Sequence, residues 1–403
     1  MKRYCCFLLC ATAASAQGTL SLREAVEQAL GSHPLLAAGT ASVATSEALR
    51  RQVGLRPNPR LFLQTENLRP HGTPGFNFSE DADTYAYVSQ LVETAGKRDR
   101  RVEVATLDLR RTQLERELLR RRIAQRVKLA YWNAATAQKL HALLQETAGT
   151  FRQILDYHEA RVREGAMAEA DLLRVRLESE RLAIAANSAG LDAERARIEL
   201  FREMGASDFP AVEFTERIEP LGAGIEPDVN TALAERTEVK LGMQAVERAR
   251  ANQRLQESLS KPDVDFLVGY KRTAGFHTML GGVQVNLPFR DRNQGNLAAA
   301  ASQVRMAESE LAAAQASVRA EVKAARTEFE IRRKQAASLP LLRDHAYESS
   351  RIAQAAYREG GTDLLRLLDA ERVRIDAQVL YYRTLSEYQQ SRVALETAMG
   401  VEP

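Results

Sequence analysis

The sequence predicts a mainly helical fold with a small β part, built from two copies of one structural unit. A short segment recurs 195 residues later, since Arg163-Glu164-Gly165 returns as Arg358-Glu359-Gly360. Apolar residues recur at helical spacing through residues 97–163, which contain no proline. Only four short segments alternate between apolar and polar residues, as strands do. Each copy is therefore expected to contribute helices and two strands.

Further matches between the copies set the predicted repeat boundaries. The same 195-residue shift relates Leu172-Leu173 to Leu367-Leu368 and Met204-Gly205 to Met399-Gly400, whereas Pro59 and Pro262 differ by 203. The two shifts indicate small insertions between elements. We expect a first repeat over 17–205 and a second over 229–403. Residues 206–228, which contain three prolines, are expected to form a connecting segment, either a simple linker or part of an equatorial collar.

Residues 1–16 have the pattern of an export signal. Lys2-Arg3 precede an apolar run, and Ala14-Ser15-Ala16 is a small-x-small cleavage site. All three cysteines lie inside this segment, so we expect a mature chain without disulfides or thiolate metal sites, as suits an oxidising compartment. The alternative is a lipoprotein acylated at Cys10. A lipoprotein needs a small residue just before that cysteine, and the residue here is Leu9.

The charge pattern favours solvated helices over a nucleic-acid surface. The formal net charge is only +3, and the arginines alternate with glutamates along the chain. After residue 16, no apolar run reaches the about 20 residues of a membrane-spanning helix. A membrane-embedded part would therefore have to consist of strands.

The elements of the first copy follow in a definite order. A helix is expected over 21–54, beginning at a capping box formed by Ser21 and Glu24. Two strands at 61–67 and 84–92 lead into a helix over 97–163, which would be about 100 Å long. Gly165 ends this helix, because a glycine after a long helix is the usual left-handed cap. The second copy repeats the order with a helix at 229–258, strands at 264–270 and 278–287, and a long helix ending before Gly360-Gly361. Returning helices are expected at 168–205 and 363–399.

The four strands alternate as the strands of a membrane barrel do. Val264, Phe266, Val268 and Tyr270 point one way, and the residues between them point the other. Interfacial aromatic residues are predicted at Tyr85, Tyr87, Phe266 and Tyr270. The alternative is two ordinary hairpins. If these strands lie in a membrane, four of them cannot close a barrel and open edges cannot face lipid, so the chain must oligomerise.

Several of these features together resemble a known family. They are the duplicated organisation, Tyr357-Arg358-Glu359-Gly360 at the second helix end, Leu367-Leu368-Asp369-Ala370 after it, and the closing residues 395–400. The chain resembles the TolC-like outer-membrane factors of tripartite efflux systems over essentially its whole mature length. Residues 287–296, which include Arg292-Asn293-Gln294-Gly295, are similar to the heavy-metal branch of CzcC- and CusC-like proteins.

The resemblance implies an architecture, a location and partners. The expected assembly is a homotrimer in the outer membrane of a Gram-negative bacterium, with a twelve-stranded barrel and a twelve-helix tunnel that extends into the periplasm. It implies a periplasmic adaptor (membrane fusion) protein and an inner-membrane RND pump as partners. The function would be a passive duct that exports heavy-metal cations or other toxic compounds. A multidrug or type I secretion duct is the alternative, while a periplasmic coiled-coil protein or an adaptor fits less well.

The resemblance also implies two groups of functional residues. By position, the residues that narrow the periplasmic mouth are Tyr357, Arg366 and Asp369, although Arg366 stands where relatives have an acidic residue. The first copy has Asp171 and Arg174 in place of the latter two. The hairpin tips are the expected adaptor contacts. The tip residues are Arg163, Glu164, Gly165, Arg358, Glu359, Gly360, Gly361 and Thr362.

No pattern in the sequence predicts catalysis or a cofactor. The six histidines show no paired ligand spacing on a helix, so they are interpreted as surface and packing residues rather than metal ligands. A phosphate-binding glycine loop and a nucleophile elbow are also absent from the sequence. We therefore expect a protein that is not an enzyme.

Overall fold

The computed structural model describes residues 18–69, 71–165, 167–216 and 228–401. The predicted signal peptide lies outside these residues, as does most of the second half of the predicted connecting segment. None of the described helices is both long and apolar enough to cross a membrane.

The first repeat contains the predicted helices and strands, with additions. Its elements are β1 (Gly18–Leu20), α1 (Leu22–Ser32), α2 (Pro34–Val53), β2 (Arg60–Glu66), α3 (Phe78–Asp81), β3 (Asp83–Val92), α4 (Lys97–Arg163) and α5 (Glu169–Glu203). The predicted bounds of the long helix are confirmed. The capping box is also confirmed, since the Ser21 and Glu24 side chains each accept a hydrogen bond from the other's backbone N–H.

The connecting segment contributes one short strand, β4 (Val212–Phe214), which the sequence analysis did not predict. The second repeat then follows the order of the first. Its elements are α6 (Val229–Glu235), α7 (Thr237–Leu259), β5 (Val264–Thr273), β6 (Phe276–Val285), α8 (Gln294–Arg358) and α9 (Leu364–Met399).

Each short helix is interrupted, so the prediction of one continuous helix before the strands of each repeat was wrong. The first break falls at His33, whose backbone is extended because the next residue is Pro34. The second falls at Arg236, also extended (φ −65°, ψ 122°), although no proline follows it. His33 and Arg236 are 203 residues apart, the shift that relates Pro59 to Pro262. The break is therefore shared by the two copies.

The chain packs into two compact units, each of which contains parts of both copies. The hairpin unit takes the residues up to Leu36, Arg120–Asp228 and the residues from Glu321 onward. The sheet unit takes Ala37–Leu119 and Val229–Ala320. These units are defined by contacts and not by the sequence repeat, so they do not test where each repeat begins and ends. The repeat boundaries at 17–205 and 229–403 therefore stay a prediction.

The sheet unit is organised around a four-stranded antiparallel sheet in the order β2-β3-β5-β6. The join between the copies is made by β3 and β5, with Val88 opposite Val268. β2 and β6 are the outer strands of this sheet. The base of the sheet is the end where β2 and β5 begin and where β3 leads into α4. There, Lys97 Nζ lies 2.7 Å from Asp263 Oδ1, and Arg60 pairs with Asp265.

The predicted alternation in β5 and β6 is confirmed, and it gives the sheet one apolar face. Residues opposite one another in a ladder lie on the same face. Ten large apolar side chains on this face are exposed: Leu61, Leu63, Val88, Val92, Phe266, Val268, Tyr270, Met279, Val283 and Val285. The other face is mixed and carries Arg60, Gln64, Ser89, Asp265, Lys271 and Gln284. Tyr85 and Tyr87 also lie on the mixed face, so they do not join Phe266 and Tyr270 in one aromatic belt.

A glycine in β5 makes room for an aromatic pair on the mixed face. The rings of Phe62 and Tyr87 stack with centroids 4.6 Å apart. Tyr87 lies directly opposite Gly269, where an added Cβ would stand 2.3 Å from the Tyr87 Cβ. The register of β3 and β5 therefore requires glycine at this position.

The hairpin unit has a small parallel sheet of its own, in which β1 pairs with β4. The fully buried Tyr131 of α4 holds it, since its hydroxyl donates to the Leu20 carbonyl at 2.9 Å and its ring packs edge-on against Phe214. Burial raises the pKa of Tyr131 to about 12. The start of the first repeat is thereby fixed to the segment that joins the repeats.

Candidate functional site

Both helical hairpins turn through the same backbone geometry. Gly165 and Gly360 adopt left-handed conformations, with φ of 69° and 75°, which confirms both as caps. The returning helices start differently. Asp363 caps α9 by accepting a hydrogen bond from the Arg366 N–H at 2.9 Å, whereas the equivalent Ala168 offers α5 no side-chain cap.

The predicted adaptor-contact residues lie at these two turns. Seven of the eight are exposed, and Thr362 is half-buried. Each hairpin thus presents an arginine, a glutamate and a glycine at its end. The structure shows that these side chains are accessible, while their contact with an adaptor stays a prediction.

Tyr357 bonds to a residue of the other hairpin. Its hydroxyl lies 3.0 Å from Nε2 of His158, and the Nδ1 of that ring lies 2.8 Å from the Ile154 carbonyl oxygen. The His158 ring is only 2% exposed and is nearly parallel to the Tyr357 ring. Burial raises the pKa of the Tyr357 phenol. The pair joins α4 of the first repeat to α8 of the second, close to both turns.

An apolar cluster surrounds this hydrogen bond. Its buried members are Val175 of α5 and Leu364 and Leu367 of α9. The half-buried members come from α4, α8, α9 and the first turn: Ile154, Leu155, Met167, Ala353, Tyr357 and Leu368. The two hairpins therefore pack together through four helices at their ends.

The other two predicted gate residues are arranged differently from their counterparts in the first repeat. Arg366 and Asp369 are both exposed on α9, and neither forms an ion pair with a described residue. At the equivalent positions of α5, Asp171 and Arg174 pair with each other at 3.1 Å. The structure brings Tyr357 into the apolar cluster and leaves Arg366 and Asp369 on the surface.

Sequence reasoning missed a buried carboxylate on α9, two residues beyond Asp369. Glu371 is 4% exposed and accepts hydrogen bonds from Ser350 Oγ at 2.5 Å, from Gln354, and from Arg374 Nε at 2.9 Å. Burial alone would raise the pKa of Glu371, but the Ser350 and Gln354 hydrogen bonds and the Arg374 charge outweigh it and lower the pKa. This network ties α9 to α8.

In the first repeat, the equivalent positions also connect the returning helix to the long helix, but they do so through an ion pair. Arg176 of α5 pairs with Glu159 of α4 at 2.8 Å, and both side chains are substantially exposed. The 195-residue shift carries Glu159 to Gln354 and Arg176 to Glu371. Applying that shift to every polar residue near the turns would have identified Glu371. It could not have revealed the pair formed by His158 and Tyr357, which are 199 residues apart.

The segment that resembles the heavy-metal branch forms the entry to α8. Asn293 adopts a left-handed backbone (φ 61°), and its side-chain amide donates to the Gln256 carbonyl at 2.8 Å. Its backbone N–H donates to Asp291 Oδ1 at 2.9 Å. These contacts join the start of α8 to the end of α7. The segment therefore has a structural role at this junction of helices.

The same segment lines a cavity at the base of the sheet. The cavity has a volume of about 1100 Å³ and lies within the sheet unit. Polar side chains around it include Arg60, Asp265, Gln284, Asn286 and Arg292. Within the described part of the chain, no group of three or more histidine, cysteine, aspartate or glutamate side chains is placed to hold a metal ion. The cavity offers a polar, mixed-charge surface.

Comparison with known proteins identifies the family. The model of the family "Outer membrane efflux protein" matches residues 25–206 and 229–401. The cobalt-zinc-cadmium resistance protein CzcC of Cupriavidus metallidurans is 24% identical over 389 residues, which cover 96% of this chain and 91% of that protein.

Solved structures share the fold. The Campylobacter jejuni CmeC outer membrane channel matches with a TM-score of 0.81 at 17% identity, over 94% of this chain and 85% of that chain. CusC matches with a TM-score of 0.77 at 17% identity, over 94% and 92%. At these identities the likeness concerns the fold alone.

The family match spans both repeats and both hairpins. Its members are channels without enzymatic activity that reach from the outer membrane into the periplasm and work in tripartite efflux systems. The chain therefore belongs to the outer membrane efflux proteins, the TolC-like family, and is an outer-membrane efflux channel.

Proposed function

We propose that this channel is the passive outer-membrane duct of an RND-type tripartite system that exports heavy-metal cations. The exposed apolar face of the four-stranded sheet supports a location of this sheet in the membrane, because a large apolar face needs lipid or protein to cover it. The mixed opposite face, with its charged and amide side chains, suits a water-filled passage.

We further propose that the duct is a homotrimer with a twelve-stranded barrel. The outer strands β2 and β6 need partners, because unpaired strand edges cannot face lipid. α5 offers a second surface for assembly, since Leu177, Ile184, Leu191 and Ile198 follow one another at seven-residue intervals and are all exposed. This spacing is typical of a helix that packs along another helix.

The metal class of the cargo rests on the similarity to the cobalt-zinc-cadmium resistance protein. A duct needs no tight metal site, since a ligand cluster that held the ion would slow its passage. We expect selection of the cargo to belong to the pump. The polar lining of the cavity at the base of the sheet is compatible with hydrated cations.

The proposed cargo is tested in the source bacterium by deleting the gene and restoring it from a plasmid. The deletion strain is challenged with cobalt, zinc, cadmium, copper and silver salts, and in parallel with dyes and detergents. We expect sensitivity to metals that is restored by the plasmid, with dye and detergent tolerance unchanged. Sensitivity to dyes alone would support a multidrug duct instead, and loss of a secreted protein would support a type I secretion duct.

We also propose that Tyr357, Arg366 and Asp369 narrow the periplasmic mouth. The free, exposed side chains of Arg366 and Asp369 support this role, because the equivalent Asp171 and Arg174 are occupied with each other. The three side chains that narrow the mouth would then all belong to the second repeat.

The hairpin ends, Arg163–Gly165 and Arg358–Thr362, are proposed to dock on the adaptor. Exchanging Glu164 and Glu359 for arginine changes the surface charge without straining the backbone at either glycine. We expect this double variant to form normal trimers but to lose co-purification with the adaptor. Undiminished co-purification would remove these glutamates from the interface.

A further inference from the structure

We propose that His158 is the positioning residue for Tyr357, and that protonation of its imidazole releases the link between the two hairpins and favours the open mouth. The proposal rests on the gate described under the proposed function and adds a regulatory input to it. Its starting point is the partly buried hydrogen bond between the two rings, which joins residues of different repeats.

The contacts of His158 fix where its proton lies. The Ile154 carbonyl oxygen can only accept a hydrogen bond, so the Nδ1 atom, 2.8 Å away, must carry the hydrogen. In the neutral ring, Nε2 then has a free lone pair and can only accept. The Tyr357 hydroxyl must therefore donate to Nε2 across the 3.0 Å separation.

Protonation reverses this bond. An imidazolium ring carries hydrogen on both nitrogens, so Nε2 would become a donor and Tyr357 would have to accept. The phenol hydrogen would then need a new acceptor. The side chains around Tyr357 are those of the apolar cluster, with Val175, Leu364 and Leu367 buried in it. A lost hydrogen bond and a charge in apolar surroundings both disfavour the packed hairpins.

The charged groups nearby do not offset this cost. On α4, the Tyr157 ring packs edge-on against His158, and the Arg161 guanidinium lies 5.9 Å from the centre of the Tyr157 ring. A positive charge on this side of α4 disfavours a second one on the imidazole. On α5, the Asp171 carboxylate acts on the Tyr357 phenol, but its charge is paired with Arg174 at 3.1 Å. α8 presents the Tyr357 hydroxyl, and α9 presents the apolar Leu364 and Leu367, with Asp363 and Arg366 exposed. Imidazole side chains in general change their charge between about pH 5 and 8, and this range sets the two pH values of the test.

Single-channel recording in planar bilayers tests the gating step, with the purified full-length channel at pH 7.5 and pH 5.5. For the wild type we expect the ratio of open to closed time to rise about tenfold on acidification, the size of one buried hydrogen bond. His158→Gln keeps a neutral acceptor, and we expect it to stay mostly closed at both pH values. Tyr357→Phe should be mostly open at both.

The matched control is His345→Gln, which removes an exposed histidine from α8 and should retain the wild-type response. A His158→Gln channel with the wild-type pH response would overturn the proposal. So would a wild-type channel whose open time does not change with pH.

Hydrogen–deuterium exchange separates the link from the channel activity. Peptides that contain residues 154–158 and 353–357 should lose protection at pH 5.5 in the wild type, after correction for the intrinsic exchange rate, but not in His158→Gln. Equal protection in both proteins would refute the link. A protein that shows this exchange pattern but conducts at neither pH would retain the link and refute the proposed duct.

Discussion

At the scale of single residues, the two repeats form interactions at equivalent positions but use different side chains to do so. The tie between long and returning helix is an exposed ion pair, Arg176 with Glu159, in the first repeat and a buried carboxylate network around Glu371 in the second. Exposed ion pairs stabilise a fold by about 0–1 kcal/mol, whereas a buried carboxylate that loses its partners costs several times more. The second hairpin is thus held by the stronger tie.

This difference gives a stability prediction. Glu371→Gln removes the charge that Ser350, Gln354 and Arg374 all contact, and we expect it to lower the free energy of unfolding by about 2–3 kcal/mol. The matched control is Arg176→Gln at the equivalent position, with an expected loss below about 1 kcal/mol. Chemical denaturation followed by circular dichroism measures both. Equal losses would contradict the stronger role assigned to Glu371.

The pKa of Glu371 also sets the direction of the pH dependence. Because its pKa in the folded chain lies below the ordinary value of 4.5, its stabilising contribution is full above pH 4.5. It is lost as the pH falls through the lowered pKa. The stability difference between wild type and Glu371→Gln should therefore shrink below pH 4.5 and be constant from there to neutrality.

A second residue-scale prediction concerns the proposed gate. Asp369→Ala removes an exposed acidic side chain that contacts no described partner, so we expect folding to be unaffected and single-channel conductance to rise. Combination with Tyr357→Phe should raise it further, because the link between the hairpins is lost as well. Planar-bilayer recording measures both variants, and unchanged conductance in the double variant would remove these residues from the gate.

At the scale of elements, the sequence patterns of helices and strands predicted the long elements, whereas individual contacts could not be predicted from them. The bounds of α4 follow from a proline-free apolar pattern and a terminal glycine, and the alternation in β5 and β6 follows from pleating. The break at Arg236 could not be predicted, because no proline or glycine marks it and only its alignment with His33 reveals it. β1 and β4 were missed because three residues are too few to show alternation. Tyr357 was singled out by position, while its partner His158 depends on a contact between two repeats that no local pattern encodes.

The sheet register gives a prediction for one strand. Gly269→Ala would place a Cβ 2.3 Å from both the Tyr87 Cβ and the Ala86 carbonyl oxygen, so β3 and β5 could not keep their pairing. We expect at least about 1–3 kcal/mol of destabilisation and little correctly assembled protein in the outer membrane. In the control, Gly281→Ala, the new Cβ would stand 4.0 Å from the Leu267 carbonyl oxygen, which is an ordinary contact. Similar yields of both variants in membrane fractions would contradict the register.

At the scale of the whole molecule, the exposed apolar face of the sheet and its unpaired outer strands call for further chains. A lysine in place of Val268 would put a charge on this face, which costs about 2–4 kcal/mol if the face meets lipid. We expect Val268→Lys to abolish the detergent-extracted trimer on unheated gels. The control Gln284→Lys, on the mixed face, should assemble normally. Assembly of both variants, or release of the wild type by a carbonate wash, would contradict a membrane-embedded trimer.

The two outer strands have a consequence for how the protein is made. An unassembled chain presents bare backbone donors and acceptors beside ten exposed apolar side chains, which is the surface that promotes aggregation. For the proposed trimer, survival of the chain would therefore depend on how soon it meets other copies or a chaperone that shields the sheet. Since meeting other copies is a concentration-dependent step, low expression should increase the fraction of chains that are degraded before they reach the membrane.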